Sequence, residues 1–170
     1  MSLTAPQPLD GHHRVDAFDC GKPTLTEWLL RHARQAQASG SARAFVSCEA
    51  ERIAGYYSLT VGQIDTLEAP QRVRKGIGQY PIPLVILARL AVDLDYQRHG
   101  LGFSLLQDAV HRAIAVAEHA GIRAMLTQPL DVEAEAFYLR FGFEPLPQGE
   151  RHLILLLKGA RQQVMGADRK

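Results

Sequence analysis

The sequence predicts an α/β fold in which a mixed β-sheet is flanked by helices. Three observations lead there. Helical apolar periodicity alternates along the chain with short β-branched or aromatic runs, in the order helix, hairpin, strand, helix, strand, helix, strand. The strongest strand passes through a short glycine-containing turn into the longest helix, which implies parallel β-α-β connectivity around that helix. The 170 residues, 46% of them hydrophobic, suit one domain with a sizeable core, placed here over residues 1–160 with a polar tail at 161–170.

The first helix is expected from Thr24, a candidate N-cap with Glu27 three residues on, to Ser39, with Gly40 as its stop. Leu25, Trp28, Leu29, His32, Ala33 and Ala36 share one face, while Arg31, Arg34 and Gln35 point elsewhere. Residues 42–48 and 53–64 read as a hairpin joined by the polar stretch 49–52. Three prolines and two glycines between 65 and 83 indicate a long loop with one short helical turn. Residues 85–93 are a strand, and 101–120 the clearest helix. Leu101, Leu105, Ala109, Ala113, Val116 and Ala120 form its stripe, with Gly121 as a left-handed stop. Residues 123–127 form another strand, 133–141 a helix closed by Gly142, and 152–158 a last strand.

Composition excludes several classes. No run approaches the ~20 apolar residues of a membrane span, and residues 1–11 lack the basic-then-apolar plan of a signal peptide. Cys20 and Cys48 form neither a C-x-x-C pair nor a metal-ligand spacing, so reduced structural thiols in the cytoplasm and no metal are expected. A net charge of +1 does not by itself announce a nucleic-acid binder. Two local basic clusters stand out, one around Lys22, Arg31 and Arg34 and one at Arg72, Arg74 and Lys75. Either could be solvated surface.

The segment Gln97-Arg98-His99-Gly100-Leu101-Gly102 joins the strongest strand to the strongest helix. A helix N-terminus presents unpaired N–H groups and the positive end of the macrodipole. Glycines at 100 and 102 admit a phosphate to the backbone, and Arg98 adds a charge-assisted donor. The dinucleotide fingerprint is excluded because Leu105 stands where its third glycine is required, and the P-loop because G-K-[ST] is missing. Taken alone, the turn fits either a phosphate cradle or a tight connection whose glycines serve packing.

Leu87-Ala88-Arg89-Leu90-Ala91-Val92 followed by Gln97-x-x-Gly100-x-Gly102 resembles motif A of the GNAT acetyltransferase superfamily. Ala134-x-x-Phe137-Tyr138-x-x-x-Gly142-Phe143 resembles motif B. The resemblance covers most of the chain. It implies a splayed sheet and acetyl-CoA as co-substrate. Leu90, Ala91 and Val92 would line the pantetheine arm, Gln97, Arg98, His99, Gly100, Leu101 and Gly102 would hold the pyrophosphate, and Phe137 would lie against the cofactor. Tyr138 would be the general acid that protonates the departing thiolate, in a direct transfer without a covalent enzyme intermediate. On sequence alone, Tyr138 also fits a packed aromatic among Phe137, Phe141 and Phe143. Asp93, Asp131 and Glu133 are candidate bases by proximity only. The absence of a clear base is compatible with an α-amine acceptor, which titrates near ~7.7–8.0.

Phe18-x-Cys20-Gly21-x-x-x-Leu25-x-x-Trp28-Leu29 is similar to the opening of GNAT toxins from bacterial type II toxin–antitoxin systems. That resemblance implies acetylation of the α-amine of aminoacyl-tRNA, a block of translation, a ribbon-helix-helix antitoxin, a homodimer and a bacterial cytoplasmic location. The two basic clusters would then contact tRNA phosphates, with binding that falls as salt rises. The sequence departs from the group at His99, where Arg or Lys is usual, and in its mild net charge. The first departure bears on cofactor affinity, the second on the tRNA acceptor. Three alternatives stand beside this reading: a GNAT acting on a small amine or protein N-terminus, an inactive binding module of the same fold, and an antitoxin-bound co-repressor.

Overall fold

The computed structural model describes residues 2–65, 69–76, 81–147 and 151–160. In chain order the elements are β1 (Gln7–Pro8), α1 (Pro23–Arg31), α2 (Ala33–Ser39), β2 (Arg43–Glu49), β3 (Arg52–Ile64), α3 (Gln71–Arg74), β4 (Ile82–Val92), a 3-10 turn (Leu94–Tyr96), α4 (Leu101–Ala117), β5 (Ala124–Thr127), α5 (Val132–Phe141), β6 (Glu144–Pro145) and β7 (Leu153–Leu156). The sheet has seven strands in the order β1-β2-β3-β4-β5-β7-β6. It is mixed, as expected: β4 and β5 are parallel across the α4 crossover, and the other described pairings are antiparallel.

The chain gathers into two compact units, residues 1–60 with 88–109, and residues 61–87 with 110–170. In the first, α1 and α2 bury Leu29 and Ala33 with Leu9, Phe18, Val46, Cys48, Ile53 and Tyr56. Burial of the larger aliphatic and phenyl side chains among these (Leu9, Phe18, Leu29, Val46 and Ile53) stabilises by ~1.5–3 kcal/mol each. In the second, Val73 of α3 packs with Ile82, Leu84, Ala124 and Ile154. Gly55 in the first unit permits close packing: a Cβ there would lie 2.8 Å from a Leu105 methyl and 3.2 Å from the Ala91 carbonyl oxygen.

Several local expectations are corrected. The first helix breaks at His32, which is exposed and caps α1 and α2 in turn. Lys22 rather than Thr24 occupies the N-cap, because Pro23 takes the first helical position, where its missing N–H costs nothing. The α4 stripe runs through Leu101, Leu105, Leu106, Ala109, Val110 and Ala113, whereas Val116 is 40% exposed and Ala120 is also exposed. The helix ends at Ala117 without a left-handed Gly121. By contrast, Gly40 and Gly142 both stop their helices in left-handed conformations. The short helical turn expected in the 65–83 loop is α3, while residues 66–68 and 77–80 of that loop, and the 161–170 tail, lie outside the described residues.

Candidate active site

Strand β4 is where the sheet opens. Its parallel pairing with β5 runs from Leu84↔Ala124 to Leu87↔Thr127, where β5 ends. β4 continues through Ala88, Arg89, Leu90 and Ala91 to Val92. The strand edge beyond Leu87 is therefore not consumed by β5, and such an edge can hydrogen-bond an extended ligand through its main chain.

The last β4–β5 pair is flanked by side chains of the second unit, to which it belongs. Thr127 is buried and its hydroxyl donates to the Leu87 carbonyl at 2.9 Å, at the last β4–β5 pair. The Tyr138 phenol lies beside the Thr127 side chain. Helix α5 presents it there: Asp131 caps the helix by accepting the Ala134 N–H at 2.9 Å, and Gly142 turns the chain back at φ 119°. Phe137 and Phe143 pack edge-on against the Tyr138 ring at 5.2 and 5.4 Å. Burial pushes the Tyr138 phenol up to about 12, with the Thr127 side chain opposing it. Tyr138 is thus a neutral, proton-bearing phenol throughout the neutral range, packed between the Phe137 and Phe143 rings.

The turn belongs to the first unit, with the free end of β4. Arg98 and Gly100 are both left-handed, at φ 67° and 82°, and alternation of this kind turns successive N–H groups toward one concavity. A Cβ built on Gly100 would meet no atom within 4 Å, so the space over it is open. Gln97, Arg98, His99 and Gly100 are exposed, and Leu101 is buried beneath them as the first residue of α4. These features fit a phosphate group.

Two groups singled out in the sequence make side-chain hydrogen bonds that their spacing did not announce. The Gln97 side chain donates to the Val92 carbonyl at 2.9 Å and the Cys20 carbonyl at 3.1 Å, bracing the turn against the end of β4. Asp93, a candidate base, is 2% exposed and accepts from the Asp19 and Asp95 N–H groups at 3.0 and 2.9 Å and from Arg52 at 3.2 Å. It is the structural peg of the turn. Asp131 is occupied as the α5 cap, and Glu133 is exposed.

The basic clusters fall in different units. Arg31 pairs with Glu27 at 3.6 Å on exposed helix surface, and Arg34 donates to the His13 carbonyl, tying α2 to the N-terminal segment. Lys22 is half-buried at the α1 cap. Arg72 pairs with Glu144 at 2.8 Å, Arg74 is half-buried, and Lys75 is exposed. Sequence reasoning missed Arg89, which stacks over Trp28 at 4.1 Å, because it stood inside a strand motif read for its backbone. It also missed the gathering of Asp10, His12 and His13, whose ligand-type atoms lie within 4.8 Å of one another. There the His13 Nδ1 already accepts the Asp10 N–H at 3.0 Å, and Asp10 accepts the His12 N–H, as a local turn requires.

Comparison with known proteins decides the family. The family described as "Acetyltransferase (GNAT) domain" matches residues 40–145. The chain belongs to the GNAT acetyltransferase family. A tRNA-acetylating toxin of Mycobacterium tuberculosis is 40% identical over 161 residues, covering 95% of this acetyltransferase and 96% of the relative. The structure of AtaT complexed with acetyl-methionyl-tRNAfMet matches at a TM-score of 0.87 and 28% identity, covering 94% of this chain and 98% of that one. A Tyr-to-Phe mutant of the AtaT toxin, bound to the C-terminus of the antitoxin AtaR and acetyl-CoA, matches at a TM-score of 0.81 and 26% identity, with 95% and 97% covered. The protein is therefore an N-acetyltransferase, and the enzyme class and fold expected from its two motifs hold.

Proposed function

We propose that the enzyme transfers the acetyl group of acetyl-CoA to the α-amine of aminoacyl-tRNA, and so acts as a translation-blocking toxin. The observation that carries this reading is the end-to-end likeness to a protein known as a tRNA-acetylating toxin. The likeness to AtaT in complex with an acetylated methionyl-tRNA points to the same acceptor.

In this reading residues 1–160 act as one catalytic domain. The main-chain N–H groups from Gln97 to Gly102, with the Arg98 guanidinium, hold the pyrophosphate. Leu90, Ala91 and Val92 bind the pantetheine arm along the strand edge beyond Leu87, and Phe137 lies against the cofactor. A main-chain N–H near Leu90 stabilises the thioester oxygen as charge develops on it. The neutral α-amine attacks the thioester carbon, a C–N bond forms and the C–S bond breaks. The Tyr138 proton passes to the leaving sulfur, and the amine's surplus proton goes to solvent. Asp93 and Asp131 are engaged in holding the fold, which favours an acceptor that needs no carboxylate base. An α-amine, titrating near ~7.7–8.0, is already partly neutral at pH 7, unlike a lysine near ~10.4.

Lys22, Arg31, Arg34, Arg72, Arg74 and Lys75 contact tRNA phosphates in this reading, with Lys75 the most readily available and Arg34 and Arg72 held by their protein partners. A partner antitoxin of ribbon-helix-helix type, a homodimer and a cytoplasmic location complete the proposal. The likeness to an antitoxin-bound toxin supports an antitoxin partner.

The test is transfer of labelled acetyl from acetyl-CoA to charged bulk tRNA, with uncharged tRNA and free amino acids as controls. Label on charged tRNA alone is the expected result. Label on free amines, with none on charged tRNA, would replace this acceptor with a small-molecule one.

A further inference from the structure

Arg89 has no part in the chemistry above, yet its setting is unusual for a surface arginine. It lies on β4 immediately before Leu90, and strand alternation puts its side chain on the same face as Ala91, opposite Leu90 and Val92. Ala91 packs there into the core cluster that includes Tyr56, with Trp28 against it. The guanidinium lies 4.1 Å over the Trp28 ring. Trp28 in turn stacks on Tyr56 at 5.9 Å and 13°, and the Tyr56 hydroxyl donates to the Leu25 carbonyl at 2.6 Å. The Arg89 side chain is thus the outer layer of a three-tiered stack whose base is fixed to α1.

Its polar contacts are sparse. Nη1 reaches the Ser58 hydroxyl at 3.4 Å. Arg14, Arg31, Arg52 and Arg72 all face carboxylates, but among the described residues no carboxylate pairs with Arg89. Burial holds its pKa below the ordinary arginine value, with only the Tyr56 phenol opposing. A partly desolvated cation without a counter-ion is unfavourable. Placed over an aromatic face and without a carboxylate partner, a guanidinium keeps donors for bidentate recognition of phosphate.

We propose that Arg89 is the phosphate anchor of the acceptor, its guanidinium oriented by Trp28 to grip a phosphate at the 3′ end of aminoacyl-tRNA. The proposal rests on the aminoacyl-tRNA reading and assigns to that site a residue outside both basic clusters. Phosphate at this position sets the acceptor in register with the β4 strand one residue away.

The experiment compares two acceptors carrying the same amino acid, an aminoacyl-CCA trinucleotide and a phosphate-free aminoacyl-adenosine. The wild-type enzyme is expected to favour the trinucleotide in kcat/KM by ~10-fold or more, the scale of a charge-assisted pair. Arg89→Met removes that preference, Arg89→Lys restores part of it, and the Kd for acetyl-CoA stays the same in all three. An equal preference in wild type and Arg89→Met overturns the anchor and leaves the aminoacyl-tRNA reading standing. A matching loss of acetyl-CoA affinity also overturns it, by assigning Arg89 to the cofactor. Label on neither acceptor overturns the reading itself, and the anchor with it. Should Arg89→Met fail to fold, the wild-type enzyme carries the test through Trp28, its single tryptophan. Uncharged CCA trinucleotide should change Trp28 emission, with the effect weakening as salt rises, whereas adenosine should not. Identical responses to the two would contradict the proposal.

Discussion

Gly100 offers a way to separate backbone strain from ligand contact. It has φ 82°, where an L side chain costs ~1–2 kcal/mol. A Cβ there would meet no protein atom within 4 Å, so Gly100→Ala adds strain without a packing clash. Gly76 is a matched control in the second unit, at φ 84° and with equally open space. Both alanine variants should therefore lose ~1–2 kcal/mol of stability in urea or thermal unfolding. They should differ in acetyl-CoA binding, because only the methyl at position 100 stands where a phosphate must approach the turn's amides. Isothermal titration should give Gly100→Ala a Kd raised by ~10-fold or more, equivalent to ~1.4 kcal/mol, and leave Gly76→Ala unchanged. Equal affinities in the two variants would refute the phosphate cradle, whatever their stabilities.

Three further outcomes follow from the same structure. Tyr138→Phe should lower kcat by ~10²-fold while sparing acetyl-CoA affinity, and an unchanged kcat would remove Tyr138 from the chemistry. Since the Tyr138 phenol is raised to about 12 from an ordinary 10, the buried neutral form contributes stability that is intact below pH 10 and lost as pH rises toward 12. Unfolding midpoints of the wild type should therefore fall more steeply than those of Tyr138→Phe across that window. His13, 1% exposed, has its pKa lowered by burial and by His12, so its contribution is present above the ordinary 6.5 and declines as pH falls below it. A conservative His13→Gln variant should flatten the stability loss as pH falls below 6.5, and a parallel loss in both proteins would contradict this.

The order of the main elements along the chain, the strand-to-helix turn and the α5 helix were legible because periodicity and glycine stops are local signals. The start of the long helix at Leu101 and the left-handed Gly142 followed directly from the pattern, whereas the helix ends at Ala117 rather than Ala120. Strands β1 and β6 were not visible: each has two residues and includes a proline, so their pairing is written in tertiary contacts. The α1–α2 break at His32 escaped notice because apolar spacing continues through it. Val116 and Ala120 kept the helical period past the point where there was anything to bury them.

At the site, residue type was a better guide than residue role. Gln97 was marked for the main chain it gives to the turn, and the structure adds that its side chain braces that turn through two carbonyls, which no spacing rule encodes. Asp93 was a candidate base because of its position after the strand, but its oxygens are taken by groups as distant in sequence as Asp19 and Arg52. Arg89 became visible only when Trp28, sixty-odd residues away, was found beneath it. Tyr138 was found by motif, and its link to Thr127 and the last β4–β5 pair adds the reason for its place.

The central claim is that this GNAT enzyme acetylates the α-amine of an amino acid carried on tRNA. The most direct measurement is mass spectrometry of amino acids released by mild base from charged tRNA after incubation with the enzyme and acetyl-CoA. The account predicts N-acetyl amino acids whose initial rate of appearance falls ~10²-fold when Tyr138→Phe replaces the wild type under the same conditions. Release of unmodified amino acids alone, with the acetyl group recovered on a small amine or a protein, would contradict it.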